Sequence, residues 1–537
     1  MTLETDVLVV GAGPVGLTLA LDLGRRGVRC TLVEQKEAPQ FLPKMERCNA
    51  RTMEIYRRLG MADAIRAAGY PSDVSMDVFI VTTVIDPPLL HLPYPSVDEA
   101  REAIRGTNDG SEPLEPYQLI SQYTLEPLLK AACEQLPSLS VRYGHALEDF
   151  TQDTEGVTAT LRTSAGTTET IHARYMVGCD GGGSLVRKKL GIALAGEGDI
   201  LRLRQALYRA DDLFERIPIG KGRHYHVADD RSTFLIVQDD TRHFTLHSVV
   251  ETDADMATMF ERTVAMPVDY EMLYVGEWKQ NLLLADRYRE GRVFLAGDAV
   301  HLMIPTGGLG MNTGVGDAVD LGWKLAATLA GWGGPELLAS YEIERRAVGA
   351  RNVGASRHAS LGRRKWRAAW RPEITEHTPA GAEARRDLAS VADIEQRKTN
   401  EMIGAELGYR YAGSPLIIDQ EGEAPDAGLM AYEPSSWPGF RLPHAWLDDG
   451  TAIQDRIGEG CYTLLILGGA DADARSLASA FADLGTPFEA VTLPDRAPRA
   501  IYGRDLLLLR PDMHIVWRGN TLPDAPQNLA RRVTGHL

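Results

Sequence analysis

Asp6-Val7-Leu8-Val9-Val10-Gly11-Ala12-Gly13-Pro14-Val15-Gly16 is the stretch on which the reading of this chain turns. An apolar, β-branched run feeds directly into Gly11, Gly13 and Gly16, and an apolar helical pattern from Leu17 to Leu23 follows. A second strand, Cys30-Thr31-Leu32-Val33-Glu34, then ends in a carboxylate. Strand, glycine turn, helix and acid-ended strand together suit a dinucleotide. Gly11 permits the tight turn, Gly13 lets the backbone approach a pyrophosphate, and Gly16 lets helix and strand pack closely. Free N–H groups at the helix start, around Pro14, favour the anion. Glu34, with Gln35 beside it, is placed to accept hydrogen bonds from ribose hydroxyls. The motif alone leaves NAD(P) and FAD both open.

At 537 residues two or three domains are expected. The net charge of −17 argues against a nucleic-acid partner and is otherwise a solvated acidic surface. Five cysteines without CxxC spacing argue against a disulfide framework or a zinc site and fit a reducing cytoplasm. No apolar run reaches membrane-spanning length, and the opening strand is unlike a leader.

A basic loop, Pro43-Lys44-Met45-Glu46-Arg47-Cys48, precedes a helix expected from about Met53 to Leu59. Lys44 and Arg47 stand just beyond the dinucleotide turn, where they can reach a phosphate. Strands near 140–143, 147–152, 156–163 and 169–173 read as a meander. Tyr175-Met176-Val177-Gly178-Cys179-Asp180-Gly181 reads as a further strand, and its acid stands where open α/β sheets place ligands. A strand-rich block from 191 to 280 carries His224, His226, His243 and His247. Alternation puts His224 and His226 on one face and Tyr225 on the other, and no ligand spacing suggests a metal. Finally Phe294-Leu295-Ala296-Gly297-Asp298 delivers an acid into a glycine-rich loop, and a long helix is expected from Asn312 to Leu329.

These separated segments resemble the three fingerprints of the single-component FAD-dependent aromatic hydroxylases, the group of para-hydroxybenzoate hydroxylase and phenol hydroxylase. The carriers are Gly11–Glu34, Cys179-Asp180-Gly181, and Gly297-Asp298 through Gly308-Leu309-Gly310-Met311-Asn312. The resemblance covers about the first 365 residues and implies FAD as the bound cofactor, with NAD(P)H as cosubstrate. It implies that Glu34 holds the adenosine ribose, Asp298 the ribityl chain or its adjoining phosphate, and Gln122 some part of FAD. Asp180 and Gly181 would serve both FAD and NAD(P)H, while Pro305 and the backbone from Gly308 through Gly310, Met311 and Asn312 would flank the isoalloxazine. Lys44 stands where the family usually has Arg, which keeps a charge and loses bidentate geometry; Ile304 stands where a second Pro is common.

The implied fold class is α/β: a Rossmann-like FAD-binding domain from 1–75, 105–185 and 281–365, interleaved with a β-sheet substrate-binding domain from 76–104 and 186–280. Arg345 to about Asn400 reads as helical and strongly charged, and a helical region and linker cover 366–435. Residues 436–537 look like the thioredoxin-like C-terminal domain of the phenol-hydroxylase branch. Without CxxC it implies packing or a homodimer contact and no redox chemistry.

The resemblance implies hydroxylation of a phenolic or polyketide-type aromatic substrate with NAD(P)H and O₂, through a C4a-hydroperoxyflavin. A phenol's free pKa of about 10 lies far above neutrality, so a base or acceptor in a dry pocket would lower the barrier. Glu46 is the first candidate, standing where several phenol hydroxylases place an Asp or His. Tyr225, His226 and His247 are candidates for the pocket wall, and Pro305 lies beside the flavin. Epoxidation or Baeyer–Villiger insertion, flavin reduction or oxidation without oxygen insertion, and a ligand-sequestering protein are the alternatives. No second GxGxxG marks a separate NAD(P)H domain, and NADPH and NADH are not distinguished.

Overall fold

A computed structural model describes residues 2–470 and 472–537. The opening run is strand Thr2–Val10, with Val7–Val9 wholly buried. It lies inside a parallel sheet between Cys30–Glu34 and Thr168–Gly178. Val293–Leu295 extends the sheet on one side and Leu139–Tyr143 on the other, both in parallel. Parallel strands need crossovers that cover the sheet's faces. Helix Pro14–Arg25 fills that role, packing against helices Gln122–Glu134 and Gly310–Leu329.

Two strands expected near 169–173 and 175–178 are one, Thr168–Gly178. Its first half pairs antiparallel with Val157–Thr163, and its second half lies between Thr2–Val10 and Val293–Leu295. Thr2–Val10 pairs with it on both sides of Arg174, up to Ala173 and again from Tyr175, so the chain runs straight through without a turn.

A second sheet of seven strands runs Glu271–Lys279, Arg202–Arg209, His243–Ser248, Phe234–Val237, His224–Val227, Val78–Val81, Leu90–Leu92. Segments far apart in the chain therefore share one sheet. Alternation divides its faces. Tyr225, Leu235, Leu246 and Tyr208 enter a hydrophobic core, while His224, Phe234, Ile236, Thr245 and His247 face a cavity.

The two sheets are spanned by helix Pro335–Arg367, whose 33 residues reach about 50 Å. The sequence places a helical region from Arg345 onward; the helix in fact starts at Pro335, with Pro suited to a first turn. Its last turn anchors on the second sheet, where Arg367 donates to the carbonyls of Val227 and Thr233 at 3.1 and 2.9 Å.

The C-terminal unit has the order strand Tyr462–Leu467, helix Arg475–Ala482, strand Phe488–Leu493, helix Arg496–Tyr502, strands Leu506–Leu509 and Ile515–Gly519, helix Pro526–Val533. The second and third of these helices were not expected from the sequence. A buried ionic cluster joins this unit to the first domain. Arg510 donates to Glu344, Asp320 and Asp512, all at 2.8 Å, and Lys324 bonds Asp320 and Glu344 at 2.8 and 2.6 Å.

Candidate functional site

Gly11 adopts φ +104, a conformation that L side chains avoid, and a Cβ there would strike the Cys179 carbonyl. Gly16 lies under the turn, where a Cβ would strike the Gly11 carbonyl. Gly13 differs: nothing in the protein lies within 4 Å of a Cβ added there. Gly13 therefore opens onto the cavity with its backbone uncovered by the polypeptide. Glu34 accepts from the backbone N–H of Ala12 at 2.9 Å and of Lys36 at 3.0 Å, so the acid knots its strand end to the glycine turn.

The Asp298 carboxylate makes no hydrogen bond among the described residues and opens onto the cavity. A carboxylate so placed wants donors, which hydroxyls of a ribityl chain would supply. The unfilled space over Gly13 and the free acid at Asp298 together fit FAD. Asp180 differs from expectation. Its two oxygens accept from Ser184 Oγ at 2.5 Å and from the backbone of Leu185 and Val186 at 2.7 and 3.1 Å. That carboxylate caps its own helix while Asp180 and Gly181 line the cavity.

The loop before helix Gly310–Leu329 is held from behind. Asn312 accepts from the Asn49 N–H at 2.9 Å and donates to the Gly308 carbonyl at 2.6 Å, and Arg47 donates to the Gly307 carbonyl. Deeper, Asp317 bridges Arg345 at 2.8 Å, His301 at 2.9 Å and the Gly297 N–H at 3.1 Å. Burial alone would raise the Asp317 pKa, but Arg345 and His301 hold it below the carboxylate norm.

One cavity of about 870 Å³ connects these parts, at the large end of ligand sites. It runs from Gly11, Gly13, Pro14, Glu34 and Gln35 past Lys44, Gln122, Asp180, Gly181 and Asp298 to Pro305, Gly308, Gly310, Met311 and Asn312. It then continues past Glu46 and Arg47 into a compartment walled by the second sheet.

There Glu46 Oε2 lies 2.6 Å from His224 Nε2. Burial opposes the Glu46 charge, yet His224, with Arg223 and Arg47 beyond it, holds the carboxyl well below its usual range. Burial also lowers His224, against the pull of Glu46. Both shifts point to a carboxylate accepting from a neutral imidazole. His247 forms another fixed element. Trp278 Nε1–H, which can only donate, reaches His247 Nδ1 at 3.3 Å, and Phe234 stacks on the ring at 4.4 Å. Burial lowers the His247 pKa to about 3, so the neutral ring carries its proton on Nε2.

Two of the expected catalytic residues lie elsewhere. The Tyr225 hydroxyl donates to the Gly220 carbonyl at 2.8 Å, accepts from the Gly222 N–H at 3.1 Å, and its ring stacks on Phe79 in the core behind the sheet. His226 shares the face of His224 but is wholly buried, receiving the Gln396 amide at 3.2 Å against Trp366. Both are structural because neighbours cover them. The residues not singled out were His224, Phe234, Trp278 and Arg363. Strand alternation allied His224 with His226, and only the helix Pro335–Arg367 packed over one of them separates their roles.

Residues 4–356 match the FAD binding domain family, and residues 435–536 match the aromatic-ring hydroxylase C-terminal family. The chain belongs to the FAD-dependent aromatic-ring monooxygenases. An FAD-dependent monooxygenase, apdD, of Emericella nidulans is 33% identical, over 96% of this chain and 88% of that one. The structure of RebC with bound 7-carboxy-K252c superimposes with a TM-score of 0.91 at 34% identity, covering 100% of both chains. A ternary complex of aklavinone-11 hydroxylase with FAD and aklavinone gives 0.83 at 28% identity, over 99% of each chain. The FAD binding domain match takes in the turn, Asp298 and the Pro305–Asn312 loop, all of which line the one cavity. No helix among the described residues is long and apolar enough to cross a membrane.

Proposed function

We propose that this monooxygenase hydroxylates a phenolic or polyketide-type aromatic substrate, using NAD(P)H and O₂, in the cytoplasm. The observation that carries this reading is the continuity of the cavity from the Gly11–Gly16 turn to the Glu46–His224 pair. When bound, FAD supplies two-electron redox chemistry and the activation of O₂. The chain's own residues do the rest. Gly13, Glu34 and Asp298 hold the adenosine and ribityl portions, and the backbone from Gly308 to Asn312 flanks the ring system. Lys44, exposed at the mouth with no partner among the described residues, is the cation offered to a phosphate of FAD or NAD(P)H. Phe234, Ile236 and Trp278 exclude water and give an aromatic ring flat contact surface. Glu46, oriented by His224, accepts the substrate hydroxyl's hydrogen. The βαβαββα order of residues 462–533, with one parallel and two antiparallel strand pairings, supports a thioredoxin-like reading of the C-terminal unit. Lacking CxxC, it serves by packing, and its free face is a candidate dimer contact.

The test is a screen of phenols and aromatic polyketides for stimulated NAD(P)H oxidation, with mass spectrometry of products formed under ¹⁸O₂. A product carrying one ¹⁸O is expected. Glu46→Gln is expected to lower hydroxylation about 100-fold while leaving flavin reduction within about twofold of wild type. Equal losses in both steps would reject Glu46 as the acceptor.

A further inference from the structure

Helix Pro335–Arg367 delivers one side chain into the substrate end of the cavity, Arg363. Its guanidinium lies 4.9 Å from the centre of the Phe234 ring, the same ring that stacks on His247. Among the described residues it has no hydrogen-bond acceptor, and its Nε is buried without one. The nearby charges make this unusual. Arg223, itself buried with Nε and Nη1 unpartnered, stands behind His224, and Arg367 stands one turn along the helix. Asp229 opposes Arg367 at 3.5 Å and Glu406 joins Glu46 in opposing Arg223, while the acid facing Arg363 is Glu46, already engaged by His224 at 2.6 Å. The histidines on this wall are neutral, for the reasons given above. Burial, with Arg367 and Arg223 nearby, pulls the Arg363 pKa down to about 9, so it stays charged at neutral pH.

A guanidinium removed from water needs an anion and acceptors, and stacking on Phe234 supplies neither in full. Two neighbouring arginines find partners, Arg367 in two backbone carbonyls and Arg47 in the Gly307 carbonyl, whereas Arg223 stacks over Tyr117 with Nε and Nη1 unpartnered. Arg363 opens instead onto the space where the substrate ring would lie. The acids that serve FAD, Glu34 and Asp298, line the opposite end of the cavity.

We propose that Arg363 is a substrate-recognition residue that pairs with an anionic oxygen group on the aromatic substrate, a carboxylate foremost. The proposal rests on the reading of this compartment as the substrate site. A planar carboxylate matches the guanidinium fork in two parallel hydrogen bonds. His247 Nε2–H, fixed as a donor by Trp278, stands on the same wall for a second, neutral oxygen. The enzyme would thus select acidic aromatic molecules over their esters or amides, and would orient them by the acid group rather than by the hydroxyl alone.

The test uses the FAD-loaded enzyme and matched pairs of hydroxynaphthoic acids and their methyl esters, with Kd read from perturbation of the bound flavin's absorbance. The acids are expected to bind about 10- to 100-fold tighter than the esters. Arg363→Gln should erase that difference, and Arg363→Lys should restore part of it. FAD occupancy and melting temperature should hold in both variants, since the side chain has no protein acceptor to lose. Esters that gain Arg363-dependent affinity as their phenol ionises would identify the anionic oxygen as a phenolate. Acids and esters that bind alike at every pH, or an Arg363→Gln variant that weakens both equally, would overturn the proposal. Acid binding that depends on Arg363 without any ¹⁸O-labelled product would refute the proposed function and leave the anion site standing.

Discussion

Gly13→Ala separates the cofactor from the fold more cleanly than any other substitution in the glycine turn. Gly13 sits at φ −71 and ψ 176, a conformation alanine adopts freely, and its added methyl would meet no protein atom within 4 Å. The folded polypeptide should accept the change, with a gain of about 0.4–1 kcal/mol from the less flexible unfolded chain. The space the methyl enters is the space a pyrophosphate would occupy at the helix N-terminus. Overfilling a close-packed contact costs about 1–3 kcal/mol, equivalent to a loss of about 5- to 150-fold in FAD affinity. Apoprotein melting and FAD titration by fluorescence quenching measure the two effects separately. The contrast is Gly11→Ala, where φ +104 and the Cys179 carbonyl both forbid the side chain, so the apoprotein itself should be damaged. A Gly13→Ala protein that bound FAD as tightly as wild type would show that no dinucleotide lies against this turn. A fall in its apoprotein melting temperature would show that the turn is more constrained than its geometry indicates.

Two further substitutions probe other links. Asp298→Ala should leave the apoprotein's stability within about 0.5 kcal/mol, because that carboxylate has no protein partner among the described residues. It should weaken FAD binding by about 10-fold or more, the worth of hydrogen bonds to a charged group; full retention of FAD after gel filtration would remove it from the cofactor site. Arg510→Met leaves Asp320, Glu344 and Asp512 buried around Lys324 alone. A loss of about 3–5 kcal/mol is expected, read from urea unfolding followed by tryptophan fluorescence, and an unchanged midpoint would mean the cluster contributes nothing to holding the C-terminal unit.

The cofactor end was legible because its chemistry is local. Gly11, Gly13 and Glu34 lie in a single βαβ unit, and the constraint on each, a positive φ, a close approach or an acid at a strand end, is written in its neighbours. Asp298 and Asn312 were legible for the same reason, as parts of one continuous loop. The substrate end is assembled from the second sheet, the basic loop and a helix more than a hundred residues farther along. Alternation sorted His224 from Tyr225 correctly, but period alone cannot tell His224, open to the cavity, from His226, sealed under Trp366 and Gln396. For Asp180 the sequence left out one part, because a strand-end acid can also cap the next helix, and here Ser184 and two backbone N–H groups bind an acid that still lines the cavity. Arg363 carried no local signal: one arginine on a highly charged helix looks like its solvated neighbours until the helix is laid across the sheet.

The state of Glu46 bears on how a phenolic hydroxyl would be activated here. An ordinary carboxylate lies about six pKa units below a phenol, so complete transfer of the proton to it costs about 8 kcal/mol in the ground state. His224, Arg223 and Arg47 hold Glu46 lower still, which widens that gap. Glu46 is therefore suited to polarise the O–H bond as an acceptor, and poorly suited to carry the proton away. The remaining activation has to come from stabilising the negative charge left on the oxygen as its proton is drawn away, since that charge makes the ring electron-rich enough to give an electron pair to an electrophilic oxygen. The compartment supplies a cation for that, since Arg223 stands close to Glu46 while the wall histidines stay neutral. Preorganised charge of this kind acts only as the reaction develops and demands no reorganisation. On this account Glu46 and Arg223 work together on one oxygen, the carboxylate drawing off its hydrogen and the guanidinium receiving its charge, and Arg363 is left to the substrate's acid group.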